Sequence, residues 1–386
     1  MQQEQVTPSR KFNSSLFFSI VFLLAIFLPL GYKILGGKNI YINTENRYLF
    51  KMPNWSWNPS AAIKYPQNFQ YYFNDNFGLR DVMIRTRHQI MLNVFKTSPT
   101  PTRVVLGQDG WMYLIEKNDF EDFLGLNPVS EEKLLSLENE INQKLQSENN
   151  KNIKYYFLIA PDKETVYPEY LPGYEKGLDT QRRFRDFYQR LKLANGIKAI
   201  TVLDALVSSK NDNNVYFKTD SHWNFFGAYI AIEEIVKQMA GDFPSLQPIP
   251  LSYYSVKESV INNLDLSTIL GFPEIEETEV SLTPPESLVI TRTEIREGIR
   301  SYTSNRSDQP VLLLFADSFG EYMPLELAGH FSKVILVQYA DDFDPYIKEF
   351  QPDIVLWENV ERTFFAAEEP PKWNYWRDKI LELLRH

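Results

Sequence analysis

Two short stretches of this chain hold the residue types needed to transfer an acyl group through a serine. In "FKTDSHWNFFGAY", Asp220 and His222 stand two residues apart, just ahead of a predicted helix. In "VLLLFADSFGEYMPLELAG", Ser318 follows a strongly apolar run. A serine hydroxyl becomes a useful nucleophile when a neutral imidazole within hydrogen-bond reach takes its proton. That imidazole in turn needs a carboxylate to fix its tautomer and stabilise its charged form. Each stretch also has a plainer reading. Ser318 or Asp317 would serve as a helix cap, His222 as a helix-start residue and Asp220 as its cap. Taken together, each stretch supplies what the other lacks.

The elements that must position these groups are legible as alternating patterns. Val311–Phe315 reads as a buried strand ending at Asp317 and Ser318, with Gly320 permitting a sharp turn into a helix. In an open α/β sheet, ligands bind beyond the carboxyl ends of the strands. The free N–H groups and dipole of a helix start there would favour a tetrahedral oxyanion. Upstream, "RVVLG" and "GWMYL" read as two short strands around the turn "QDG". A helix is predicted over about residues 130 to 149, with Leu134, Leu135, Leu137, Ile141 and Leu145 on one side. "IKYYFLIAP" reads as a buried strand, "TQRRFRDFYQRLKLAN" as an amphipathic helix, and "IKAITVLDAL" contains a further strand. "NFFGAYIAIEEIVKQMAG" is a helix ending at Gly241. "LAGHFSKVILVQYA" and "PDIVLWEN" add helix-to-strand steps, and "NYWRDKILELLRH" is a last helix. Strands alternating with helices predict an α/β fold, a parallel sheet covered on both faces. Residues 273–310 break the pattern with charge, Pro and Ser, and read as an insertion or surface loops.

Composition narrows the chemistry. Of 386 residues, 44% are hydrophobic, enough to build a large core. The net charge is −10, and no basic run is present, which argues against nucleic acid as partner. The absence of cysteine excludes disulfides, thiol nucleophiles and thiolate-bound metals. The four histidines, His88, His222, His330 and His386, are not paired at helical spacing, which argues against a metal site. His330 reads as packed or exposed near a helix end. Aromatics reach 15%, serving the core first, with Trp and Tyr also suited to stacking on sugar rings. Asp162 and Lys163 in "APDK" follow a strand end and would border the cleft or form a solvated turn, and Glu361 and Arg362 read as structural pairs.

No charge occurs from Phe12 to Tyr32, a stretch long and apolar enough to span a bilayer. A signal peptide would pass the same test, but the run is long for one and no small-x-small cleavage site follows, which favours an uncleaved anchor. Arg10 and Lys11 precede the span and Lys33 and Lys38 follow it, so charge does not orient it. The short N-terminal tail is the easier part to leave in the cytoplasm, which places residues 40–386 outside. The expected organisation is a tail and transmembrane anchor over 1–38, a linking and helical segment over 39–101, and a catalytic domain over 102–386.

The motifs "ENRYL", "DNFGLRD", "GQDGWMYL", "APDKETVYPEYLP", "TDSHWNFFGAY", "DLSTILG", "FADSFG" and "WENVERTF", in this order, make the chain resemble the alginate O-acetyltransferase J/X family. The resemblance covers most of residues 45–386 and implies an SGNH-hydrolase-like catalytic domain. It implies Asp220 as acid, His222 as base and Ser318 as nucleophile, in an order that looks circularly permuted relative to ordinary SGNH esterases. The Ser318 N–H is the expected oxyanion donor, and Asn224, Arg80 and Tyr322 are candidates for lining the site. The implied activity is O-acetyl transfer to an exopolysaccharide through an acetyl-serine, without a cofactor or metal. The implied setting is the outer, periplasmic side of the cytoplasmic membrane, beside a multi-pass acyltransferase that passes acetyl across. Some relatives carry a carbohydrate-binding module after the catalytic domain; only 68 residues follow Ser318 here, so none is expected. A polysaccharide acetylesterase and a non-catalytic subunit of an export complex are the alternatives the same residues allow.

Overall fold

The computed structural model of the protein describes residues 14–37, 49–115, 128–145, 152–174, 179–194 and 196–365. The helix expected in "NYWRDKILELLRH", the end of the one expected over 130–149, and the basic residues Arg10, Lys11 and Lys38 lie outside them. The chain divides into two compact units, Met1–Pro99 and Thr100–His386.

The first unit holds the apolar run as a helix, Ser14–Ile34, long and apolar enough to cross a membrane. None of its membrane-length window is buried within the protein, as suits a lipid-facing surface. The apolar pattern downstream forms two helices, Pro59–Asn76 and Arg80–Asn93. The first begins where Asn58 accepts a hydrogen bond from the Ser60 N–H (3.0 Å), with Pro59 at its first position. The break falls at Leu79, whose φ of 61° lies in the left-handed region and cannot continue a helix.

The second unit is built on a sheet whose centre is a set of near-continuous apolar strands. In chain order the strands are β1 (Val104–Leu106), β2 (Met112–Leu114), β3 (Lys154–Ala160), β4 (Ile197–Ile200), β5 (Ser255–Ile261), β6 (Glu277–Thr283), β7 (Ile290–Arg296), β8 (Ile299–Ser304), β9 (Val311–Ala316), β10 (Lys333–Gln338) and β11 (Ile354–Val360). Among the described residues seven of them join in the order β4-β3-β11-β9-β10-β8-β7. The first five run parallel, and β8 and β7 close one edge antiparallel. β3, β9, β10 and β11 are buried on both faces, which is why they lack the alternation of a half-exposed strand. β1 and β2 form a hairpin, and β5 and β6 a second ribbon.

Residues 273–310 are therefore not loops: they supply β6, and β7 and β8 complete the sheet edge. Their polar composition reflects exposure, since β7 is open to solvent along nearly its whole length. The helix Glu131–Leu145 buries Leu134, Leu137, Ile141 and Leu145, but Leu135 points to solvent (56% exposed). The strand in "IKAITVLDAL" stops at Ile200, and a helix, Leu203–Ser209, follows it.

Candidate active site

Asp220 and His222 sit in a tight loop closed by a β-bridge between Tyr216 and Trp223. The Asn224 N–H donates to the Val215 carbonyl across the base of this loop (3.2 Å). The helix Phe225–Met239 starts immediately after, and Gly227 lets it lie against the loop: a Cβ there would fall 1.9 Å from the Val215 carbonyl oxygen. Asn224 caps that helix, accepting from the Gly227 N–H (2.8 Å) while its amide donates to Asn214 (2.7 Å). Both ends of its side chain are thus committed to the cap rather than to lining the site.

Ser318 lies just past the carboxyl end of β9. The segment after it is a short 3₁₀ turn, Phe319–Tyr322, followed by the five-residue helix Pro324–Ala328, so the expected long helix start is missing and with it most of the dipole. Gly320 also has a role other than the one expected. Its φ is not positive, but an added Cβ would fall 2.2 Å from the Ala316 Cβ. Gly320 is needed for close approach, not for turn geometry.

The loop and the strand end meet. His222 Nε2 is 2.8 Å from Ser318 Oγ, and His222 Nδ1 is 2.6 Å from Asp220 Oδ1. Trp223 Nε1–H donates to the Phe319 carbonyl (3.1 Å), a second tie between the two segments. The imidazole packs on Phe319 and on Tyr322, whose rings lie 4.8 Å and 5.6 Å from it centre to centre. Tyr322 also meets Phe217 and Phe225, so it forms an aromatic wall beside the site. Burial pushes the Asp220 carboxyl up, but hydrogen bonds from the His222 ring and from the His222 and Asp265 amides outweigh it. Asp220 is left below the usual carboxylate range and stays an anion.

Behind these groups lies a buried polar frame that the sequence hardly announced. Lys163 is 1% exposed and donates to three carbonyls of the Asp220 loop: Phe217 (3.0 Å), Lys218 (3.1 Å) and Asp220 (2.6 Å). Burial lowers its pKa to about 8, against the pull of Asp265 and Asp220. Asp162 pairs with Arg362 at 2.5 Å. Glu361 accepts from the Asp162 N–H (2.9 Å) and Thr165 Oγ1 (2.8 Å). "APDK" is not a solvated turn: Asp162 and Lys163 are buried, and Lys163 supports the loop. Asp317 accepts from the amides of Phe319 (2.9 Å) and Val360 (2.7 Å), fastening the turn that carries Ser318 to the end of β11. His330 is buried, with Nε2 accepting from the Ile249 N–H (3.1 Å), and burial lowers its pKa to about 4, so it is a neutral structural group. Arg80 belongs to the first unit, beside Asp81.

Two residues near the site escaped the sequence reading. Asp265 opens a short helix and faces Asp220 and His222. Tyr339 follows β10 with a φ of 53°, is 70% exposed, and donates its N–H to the carbonyl of Ala316, two residues before Ser318 (3.2 Å). The motif "DLSTILG" gave a hint of the first; nothing local pointed to the second.

A parallel α/β sheet with a serine, histidine and aspartate gathered at its carboxyl edge has the layout of an SGNH-hydrolase-like domain. The chain belongs to the family described as SGNH hydrolase-like domain, acetyltransferase AlgX, whose model matches residues 104–327. It is similar to the probable alginate O-acetylase AlgJ of Pseudomonas syringae pv. tomato, with 23% identity over 92% of this chain and 90% of that one. It is also similar to AlgJ of Pseudomonas fluorescens, with 26% identity over 70% and 71% of the two chains. Among solved structures, Bacillus cereus PatB1 shares the fold with a TM-score of 0.52 and 16% identity, over 69% of this chain and 97% of that one.

Proposed function

We propose that this protein is an O-acetyltransferase acting on the hydroxyls of a polysaccharide, with Ser318 as nucleophile, His222 as general base and acid, and Asp220 as the orienting carboxylate. The observation that carries this reading is the continuous relay from Asp220 Oδ1 through the imidazole to Ser318 Oγ, at 2.6 Å and 2.8 Å. The names of the relatives favour acetyl as the group transferred and alginate-like polymers as acceptors.

In the first half-reaction Ser318 Oγ attacks the acetyl carbonyl while His222 Nε2 takes its proton. The tetrahedral intermediate collapses as the imidazolium returns that proton to the leaving oxygen, leaving an acetyl ester on Ser318. A sugar hydroxyl then loses its proton to His222 and attacks the ester, and Ser318 recovers the proton as the acetylated sugar departs. Asp220 holds Nδ1–H toward itself, so Nε2 faces the serine as an acceptor. The amides flanking Ser318 are taken, that of Asp317 by Glu358 (3.3 Å) and that of Phe319 by Asp317. Among the described residues the Ser318 N–H meets no acceptor, which leaves it as the donor for the developing oxyanion.

The helix Ser14–Ile34 fits a single-pass membrane anchor. The proposal places the catalytic unit on the outer face of the cytoplasmic membrane, supplied with acetyl by a membrane-embedded acyltransferase. The test is to treat the purified protein with a soluble acetyl ester and a polysaccharide oligomer and to follow acetylated sugar and free acetate separately. Acetylated sugar that vanishes in Ser318→Ala supports transfer. Acetate alone would replace this reading with hydrolysis, and an unchanged product from Ser318→Ala would end it.

A further inference from the structure

A second carboxylate, Asp265, faces the histidine from a segment remote in sequence. It stands at the start of the helix Asp265–Ile269, which docks onto the Asp220 loop by reciprocal hydrogen bonds. The Asp265 N–H donates to Asp220 Oδ2 (2.9 Å), the oxygen that the imidazole does not use. In return Asp265 Oδ1 accepts from the Ser221 N–H (2.8 Å), and Oδ2 from Ser221 Oγ (2.5 Å). Two residues on, the Ser267 N–H donates to the Thr219 carbonyl (3.1 Å). Asp265 Oδ2 then lies 3.8 Å from His222 Nδ1, with Ser221 Oγ 3.5 Å from the same nitrogen.

We propose that Asp265 is a positioning residue of the acyl-transfer site, which fixes Asp220 through its backbone and flanks the imidazole through its side chain. The proposal rests on the reading of His222 as the base for Ser318. The physical reason is twofold. A carboxylate that spends one oxygen on an imidazole swings unless its other oxygen is held, and the Asp265 amide holds it. Burial and the neighbouring Asp220 charge raise the Asp265 carboxyl, and in its ionised form, within about 4 Å of the ring, it also favours the imidazolium that forms in each half-reaction. The charged and titratable groups around this centre include Asp220 on the same loop, Asp265 on its helix, Lys163 beneath the loop, Glu277 and Glu279 on β6, Asp317 beside Ser318 with Arg362 near it, and Tyr322 on the aromatic wall. Removing the Asp265 charge alone leaves the others in place.

The test measures the second-order rate of serine inactivation by a fluorophosphonate across roughly pH 5 to 9, the range where an imidazole base controls such a rate. For Asp265→Asn the expected result is a plateau lowered about tenfold and an acid-side limb moved to lower pH, with the melting temperature preserved. An unmoved limb, whether or not the plateau falls, overturns the proposal. Asp220→Asn gives an independent reading that does not require a variant at 265. With Asp265 still beside Nδ1, its rate should exceed that of His222→Ala by at least about tenfold; equality of the two overturns the proposal. Failure of the native protein to label at Ser318 would remove the acyl-transfer reading itself, and this inference with it.

Discussion

His222 Nε2 and Ser318 Oγ stand 2.8 Å apart although 96 residues separate them in the chain. One arrives on a loop held by buried polar groups, the other on the end of a buried strand. If this contact is the working one, Ser318→Ala and His222→Ala should each lower acetyl transfer by at least about 10³-fold, and the double variant should be little worse than either. Single-turnover rates with an activated acetyl ester check this; additive losses would mean that the two residues do not act as a unit.

Lys163 supports the loop that carries His222. Lys163→Met replaces the ammonium with a side chain of similar length and removes the donor from the carbonyls of Phe217 and Asp220, while that of Lys218 keeps the Met112 N–H (2.8 Å). Each buried acceptor stripped of its donor costs about 1–3 kcal/mol, partly offset by the relief of burying a charge. The expected outcome is a net loss of at least about 2 kcal/mol in denaturant unfolding, with transfer activity falling more steeply than stability.

Gly320 is a packing requirement at the nucleophile. In Gly320→Ala the new methyl would fall 2.2 Å from the Ala316 Cβ, so the turn after Ser318 must move outward. Overpacking of this kind costs about 1–3 kcal/mol. A displacement of about an ångström at the serine is enough to cost about 10²-fold in rate. The expected variant is folded and slow, read out by circular dichroism alongside the fluorophosphonate rate. Wild-type labelling would show that the turn yields elsewhere.

Glu326 makes stability depend on pH. It is buried in the helix Pro324–Ala328, and burial raises its pKa to about 7. The folded state therefore holds a proton that the unfolded chain releases near the ordinary glutamate value. Between about pH 4.5 and 7 the folded state binds more protons than the unfolded state, so this group's contribution falls as pH rises through that window. The limiting slope for one such group is about 1.4 kcal/mol per pH unit. Glu326→Gln should flatten the decline in unfolding free energy over this window. An identical slope in the variant would assign the dependence to other groups.

The proposed site was legible because catalysis of this kind needs particular residue types. Asp220, His222 and Ser318 stood out by type and by their places before a helix and after an apolar strand. The central strands were equally plain, since burial on both faces demands unbroken apolar runs such as "VLLLF". Strand β7 was hidden because an exposed sheet edge tolerates the polar residues that also mark loops. Leu135 shows the limit of reading periodicity, as an apolar residue beside a stripe need not belong to it.

By itself the sequence determined the apolar N-terminal helix and the α/β class, and it singled out the three side chains proposed for acyl transfer, all of which follow from local composition and chemical type. Only the tertiary structure decided that Lys163 serves carbonyls instead of solvent, that Gly320 answers to Ala316, and that Asp265 meets Asp220. The physical reason is that a hydrogen bond or a steric limit between remote segments depends on where the sheet brings their ends. Strand order and register set that position, and no local pattern encodes either one.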